Sequence, residues 1–590
     1  MGCKDRFETR LVNPHHPNYI IIMKQIITPL GSIALALDTV IDISKNNPLF
    51  TSAEEFSISL SVPRKPNEHI FGYRNRLAMA GTNFIIDALF LYEGREMING
   101  SAELVSAADD VFEILIKGSR SNFMFKYGAI NIRDIDLGEE NFVPDNPFPT
   151  DEEFITEMGY TTITDRDWIC FPCNIQDGYA KATNAWDFNT SKFILPPGSC
   201  FAPYMRLHRA LFRLFDHYGY TITDNWFAET AERKNIVIYR KEYFSWDGFL
   251  IINKFYPNWT VADFISELEN FFPVTFCIDV RTKTVRIISD DTTLQDAPVG
   301  SLDDYVKGIV KITFNDTQNG YELKYNYPSD DAVKNDKDYA DQVAAMVCAS
   351  FMAFPVASAF YNDTTVLSTA DGGYYTSVAD GDAWKWERVG SVAMSVRSDP
   401  SKPMEITRET KIFPAMNEFA TVTQDMSLIN PEGGTEVHPV DVKFQMPVCK
   451  GDGLYDTGYY WVNNFRLMVY RGMDTPVRLL PTWDMVHTLT YPMANFVNHK
   501  MNGDQWPDTD LELRWDTNEG LRGAEAIAFL NGARKVTVTM VMHHRDLEKI
   551  DLTKVYLLKG QKVIISELVV HYNRGDNVTI DATLLVRASS

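Results

Sequence analysis

The hydrophobic period switches partway along residues 259–288, WTVADFISELENFFPVTFCIDVRTKTVRII. In the first half, Val261, Phe264, Ile265, Leu268 and Phe272 recur at helical spacing, and Asp263, Glu267 and Glu269 fall on the opposite face. Thr260 followed by Asp263 fits an N-terminal cap, and Pro273 stops the helix. The second half alternates: Phe276, Ile278 and Val280 lead into an Arg281–Thr284 turn, and Val285 and Ile287 return. The pattern predicts a helix feeding a tight β-hairpin.

Period-two alternation dominates elsewhere. FSISLSVP (56–63) and DVFEILIKG (110–118) read as strands, and 85–105 reads as a hairpin about Glu93-Gly94. A second amphipathic helix follows Met205, Leu207, Leu211, Leu214 and Phe215, with Gly219 as its C-terminal cap. Toward the C-terminus, FRLMVYRG, LELRWD and KVTVTMVM read as strands and GLRGAEAIAFLNGA as a helix closed by Gly532. The last forty residues predict strands with turns at Lys559-Gly560 and Arg574-Gly575.

These elements divide the chain into an N-terminal extension (1–23), a β-barrel-like domain (24–150) and an irregular insertion (151–200). An α+β domain with the helix–hairpin unit (201–300), a β-rich domain (301–430) and a C-terminal β-rich domain with one helix (431–590) follow. The expected fold class is therefore mainly β with α+β, in several domains.

Composition narrows the function. A net charge of −23 over 590 residues argues against a general nucleic-acid binder, which needs clustered Lys and Arg. Seven cysteines are too few, and odd in number, for a disulfide framework, so reduced thiols in a cytoplasmically made protein are expected. Val343–Phe360 carries no charge over eighteen positions. It is short for a membrane span and interrupted by Pro355, so a buried segment or an oligomer contact is the better expectation, without stable membrane insertion.

Candidate chemistry is sparse. Cys170-Phe171-Pro172-Cys173 is a C-x-x-C that could be a redox pair or half of a zinc site. Cys200 could add a third ligand, but no second pair exists, and two partly buried thiols are the simpler expectation. His543 and His544 are expected on opposite strand faces, unable to chelate together, and His15-His16 lie between prolines. There is no H-E-x-x-H, no G-x-S-x-G and no phosphate-binding glycine loop. Tyr374-Tyr375 and Trp384-Lys385-Trp386 could form a sugar platform, though strand packing accounts for them equally well. No catalytic or cofactor-binding residue is expected, no cofactor is implied, and the profile suits a structural protein more than an enzyme.

Residues 56–77, FSISLSVPRKPNEHIFGYRNRL, place Pro63, Asn67, Phe71 and Gly72 in a strand–turn–strand pattern. That pattern resembles tail-tip or baseplate-hub proteins of phages infecting gut Bacteroides relatives. The succession FRLMVYRGM, YPMAN, LELRWDTNEGL and RKVTVTMVMHHRDLEKIDLTKVYLLKGQKVIISELVV is similar to the same family. The resemblance implies two tail-tube-like β-barrels plus smaller α+β domains, one of them the helix–hairpin unit. It also implies a homotrimer closing the distal end of the tail tube, seating tip or spike proteins and leaving a channel through which DNA passes without specific binding. The location implied is the virion tail, after assembly in the bacterial cytoplasm. A receptor- or glycan-binding tail appendage and a tail-associated cell-wall hydrolase are the alternatives. The CFPC segment, the apolar 343–360 run and the N-terminal 22 residues have no counterpart in the family pattern.

Overall fold

The computed structural model describes residues 24–36, 39–50, 56–76, 84–92, 94–141, 167–170, 203–239, 249–313, 320–326, 404–414, 465–478, 511–515, 518–572 and 577–587, with further strands within 174–194, 347–449 and 488–495. The described residues are mainly β. Their principal element is a twelve-stranded half-barrel sheet fed from both ends of the chain.

From the N-terminal side come β1 (Lys24–Thr28), β2 (Gly31–Ile33), β3 (Ile41–Asn46), β4 (Phe56–Pro63), β5 (Ile85–Tyr92), β6 (Arg95–Ala107) and β7 (Val111–Gly118). Helix α1 (Arg64–Phe71) follows β4, and α2 (Ser119–Tyr127) follows β7. A second body contains α3 (Leu207–His217), β8 (Thr221–Asn225), α4 (Val261–Phe271), β9 (Val274–Asp279), β10 (Thr284–Ser289) and α5 (Asp290–Gln295). The chain then gives β11 (Val306–Thr313), β12 (Met404–Thr410), α6 (Ala524–Gly532), β13 (Ala533–His543), β14 (Val555–Leu558), β15 (Gln561–Tyr572) and β16 (Asn577–Arg587). Strand order in the large sheet is β11-β13-β16-β15-β3-β4-β7-β6-β5-β1-β2, and β14 also pairs with β15.

Alternation explains the register. Ile58, Leu60 and Val62 of β4 face Ile116, Ile114 and Phe112 of β7, and all six are buried. Val538, Met540 and Met542 of β13 likewise meet Ala582, Ile580 and Val578 of β16. The two halves join where β3 pairs with β15, placing Ile41 opposite Tyr572 and Ile43 opposite Val570. Strands from 24–150 and from 431–590, drawn apart by the sequence pattern, thus share one sheet.

The helix–hairpin unit forms as its period predicts. Thr260 caps α4 by accepting from the Asp263 N–H, at 3.1 Å, while its hydroxyl donates to the Asp263 carboxylate at 2.8 Å. At the hairpin tip, the Asp279 carboxylate accepts from the N–H groups of Arg281 and Thr282. β9 pairs antiparallel with β10, and β10 pairs in parallel with β8. Gly219 takes the left-handed conformation beyond α3, φ 73°, as its place in the sequence predicts.

Three local expectations are corrected. The segment after β4 is an eight-residue helix rather than a turn, because fully buried Asn67 binds both backbone groups of Ala34 and the Pro63 carbonyl. LELRWD is irregular over 511–515, where Leu513 and Trp515 are pulled into the core instead of alternating on a sheet. The GLRGAEAIAFLNGA helix is broken at Gly523 into Glu519–Arg522 and α6. Gly523 has φ +67°, and a Cβ there would come within 2.9 Å of Pro273.

Candidate assembly edge and buried joint

The large sheet ends differently on its two sides. At one end β2 has only three residues. The Asn67 side chain occupies the backbone groups of Ala34 just beyond it, and the Thr28 hydroxyl closes the β1–β2 turn onto the Gly31 carbonyl. At the other end β11, VKGIVKIT, is eight residues long and exposed at every position after Val306. Its pairing among the described residues is with β13, interrupted by two register shifts. Ile309, Val310 and Ile312 are 41, 66 and 45% exposed. A long, β-branched edge with apolar groups on both faces is a template for pairing with another chain.

A second assembly of chemistry lies where α2, the helix–hairpin body, β12 and the 518–532 segment meet. Arg120 of α2 holds Glu269 of α4 with two guanidinium bonds of 2.6 and 2.7 Å, and Glu269 also accepts from the Phe276 N–H at 2.9 Å. Glu267 is buried and accepts from the Lys411 N–H at 2.7 Å. Of the acidic residues opposite the apolar stripe, Asp263 stays exposed, whereas other segments reach Glu267 and Glu269 and pair their carboxylates.

Asp290, at the start of α5, accepts from the Thr275 hydroxyl at 2.7 Å. The residue keeps some surface, but its carboxyl is enclosed. Burial pushes the Asp290 carboxyl up to about 7, against the opposing pull of the Thr275 bond and Arg408. Asp291 accepts from the Ala526 N–H at 2.8 Å, and its carboxyl is raised, first by burial and then by Glu525. Arg408 of β12 donates to the Arg522 carbonyl, while its buried Nε finds no partner among the described residues. Nearby, Trp515 stacks on Tyr325, centroids 4.6 Å apart, and donates its indole N–H to the Phe271 carbonyl at 3.0 Å.

Between the hairpin and the sheet lies a cleft of 670 Å³ with walls of mixed charge, including Lys45, Arg95, Glu96, Arg281, Arg286 and Glu548. Arg95 pairs with Glu548 at 3.6 Å, and Arg286 reaches Asp551 at 3.3 Å.

Most of the residues singled out from sequence lie outside the described set. Cys170 lies in the strand Trp168–Cys170, paired with Pro203–Met205, and its side chain is outside the described set. Cys173, Cys200, His15 and His16 lie outside the described residues, as does most of 343–360. The Tyr374-Tyr375 and Trp384–Trp386 strands pair with each other, with their side chains outside the described set. Among the described residues, no His/Cys/Asp/Glu group is arranged to hold a metal and no helix is long and apolar enough to cross a membrane. His543 and His544 correct a further expectation: the strand ends between them and their rings come within 4.3 Å, instead of facing opposite ways. His543 Nδ1 accepts from the Arg545 N–H, and His544 is buried.

The sequence predicts GIVKITFND as a strand but not its place at an edge, since period-two patterning does not record which neighbours a strand has. Its β-branched residues on both faces were the available signal. No signal in the sequence pairs Arg120 with Glu269, 149 positions apart.

No family model matches the chain, and no curated protein matches it in sequence. Among solved structures it is similar to the 43 kDa tail protein of prophage MuSo2 from Shewanella oneidensis, with 7% identity and a TM-score of 0.33 over 95% of this chain and 97% of that one. A likeness that loose establishes neither a common fold nor a common role.

Proposed function

We propose that the chain is a structural protein of a phage tail, the hub or tip that closes the distal end of the tail tube. Copies join as a threefold ring around a channel for genome passage, with tube-like β elements toward the tube and tip, spike or fibre proteins seated below. The ring sits in the virion tail after assembly in the host cytoplasm, and its role is non-enzymatic. The observation that carries this reading is the exposed β11 edge at the end of a twelve-stranded sheet, in a chain whose sequence resembles the hub family. Lys307, Lys311 and the two register shifts temper this edge, but exposed Ile309, Val310 and Ile312 leave it a surface for another chain to cover. In a threefold ring each β11 pairs with a different surface of the next copy, so all three β11 edges are covered.

The test is light-scattering mass and electron microscopy of the purified chain, beside the variant Val310→Lys with Ile312→Lys. A threefold ring is expected for the natural sequence, and folded single chains for the variant, because two added charges oppose strand pairing at that edge. A natural chain that stays monomeric at every concentration, or a variant that still forms the ring, overturns the role given to β11.

A further inference from the structure

The joint between the helix–hairpin body and the 518–532 segment has unequal charge. Three carboxylates, Glu269, Asp290 and Asp291, share it with two guanidinium groups, Arg120 and Arg408. Glu269 takes both terminal nitrogens of Arg120. Arg408 sends one terminal nitrogen to the Arg522 carbonyl. Asp291 is committed to the Ala526 N–H. Asp290 is left with the Thr275 hydroxyl, and its backbone N–H is spent on the Pro273 carbonyl. The other titratable groups that bear on this pair are Glu525, acting on Asp291, and Tyr321, acting on Arg408. Neither supplies a positive charge.

The segment docks through buried Leu521 and Ile527, in the core shared with the helix–hairpin body, and through Phe529, which packs with Val555, Ile564 and Leu585; charged contacts add to that burial. Gly523 sits against Pro273 with no room for a side chain, and its neighbours Arg522 and Ala526 supply the two backbone groups bound by Arg408 and Asp291. Both bonds depend on the charges beside Asp290.

We propose that docking of the 518–532 segment onto the helix–hairpin body is proton-linked: a proton on Asp290 balances the joint, and its loss loosens the segment. The device is independent of the hub role and holds whether or not the chain forms a ring. The sign follows from the enclosed carboxyl. Folded Asp290 keeps its proton to about 7, whereas the ordinary value is 3.8, so an opened joint releases a proton over that interval. The docked state therefore loses ground as pH rises from about 4 to about 7 and changes no further above it.

Hydrogen–deuterium exchange of the full chain tests this, read on peptides covering Ala526 and corrected for the intrinsic pH dependence of exchange. Protection of 518–532 is expected to fall by up to about tenfold per pH unit between pH 5 and 7, then level off. Asp290→Asn is expected to remove most of that slope, Asp291 keeping the remainder, while leaving β4 and β7 peptides unchanged. Thr275→Val deletes the bond that favours the ionised carboxylate, so its plateau is expected at higher pH than in the natural chain. A natural chain with the same profile as Asp290→Asn overturns the proposal. If Asp290→Asn does not fold, Thr275→Val decides it: an unmoved plateau overturns the link to Asp290.

Discussion

The large sheet and the joint beside it solve burial in opposite ways. Inside the sheet, cross-strand rows such as Ile58–Ile116 and Met540–Ile580 meet apolar to apolar. Two of its buried polar side chains, Asn47 and Asn67, are neutral amides bound to backbone groups. The joint encloses Arg120, Glu267, Glu269, Asp290 and Arg408 together with the Trp515–Tyr325 stack. A sheet interior tolerates volume-conserving swaps within its apolar rows, whereas a charged joint ties its stability to each partner being present. The sheet is thus suited to be a scaffold, and the joint to be the place where segments distant in sequence are fixed to one another.

Breaking the charged pair should have the largest effect. Arg120→Ala leaves Glu269 enclosed beside Asp290 without its two guanidinium bonds, and should cost about 3–5 kcal/mol. Replacing both Arg120 and Glu269 by Met should cost less than Arg120→Ala alone, since no buried charge is then orphaned. A double-mutant cycle followed by urea unfolding measures the difference. Equal losses for the single and double replacements would show that the pair is ordinary packing.

The converse experiment puts polarity into the sheet. Val570 is fully buried between Ile43 and Ile580, so Val570→Thr keeps the shape and adds an unpaired hydroxyl. The expected loss is about 1–3 kcal/mol by the same unfolding measurement. A neutral outcome would mean that the sheet interior holds polar groups as readily as the joint does, and the contrast between the regions would fail.

That contrast also sets what can be read from the sequence. β4, β7, the β5–β6 hairpin and the α4–β9–β10 unit are legible because each is fixed by its own period and turn residues. The Lys559-Gly560 turn is legible for the same reason: both residues adopt positive φ, 49° and 77°, as a two-residue hairpin requires. Pairing of β3 with β15 joins positions about five hundred residues apart, and no local pattern encodes it. The pairing of Glu267 and Glu269 is not legible, because a period tells which side of α4 a residue occupies, not whether another segment covers that side. α2 has no counterpart among the predicted elements: it begins at Ser119, with φ 49°, immediately where β7 ends. The candidate edge was half legible. Its strand was, but its place at the end of the sheet among the described residues was not.

The smallest expected effect lies on the outer face of the sheet, where charge is present but wet. His571 of β15 stands between Asp42 of β3, at 2.8 Å, and Asp581 of β16, at 3.2 Å, and Thr539 of β13 bonds to the same Asp581. Partial burial lowers the proton affinity of His571, but the two carboxylates outweigh it and raise its pKa above 6.5. The folded chain then holds that proton more tightly than the unfolded one. Its stabilising contribution is full below pH 6.5 and is lost as pH rises through the raised folded value. Because these groups are largely solvated, the contribution should be only about 0.2–1 kcal/mol and should shrink in high salt. His571→Gln should remove this step from the pH dependence of unfolding and leave the exchange of the 518–532 segment unchanged. Asp290→Asn should do the reverse. If His571→Gln altered protection at Ala526, the sheet and the joint would titrate as one unit, and the separation drawn between a neutral scaffold and a charged joint would not hold.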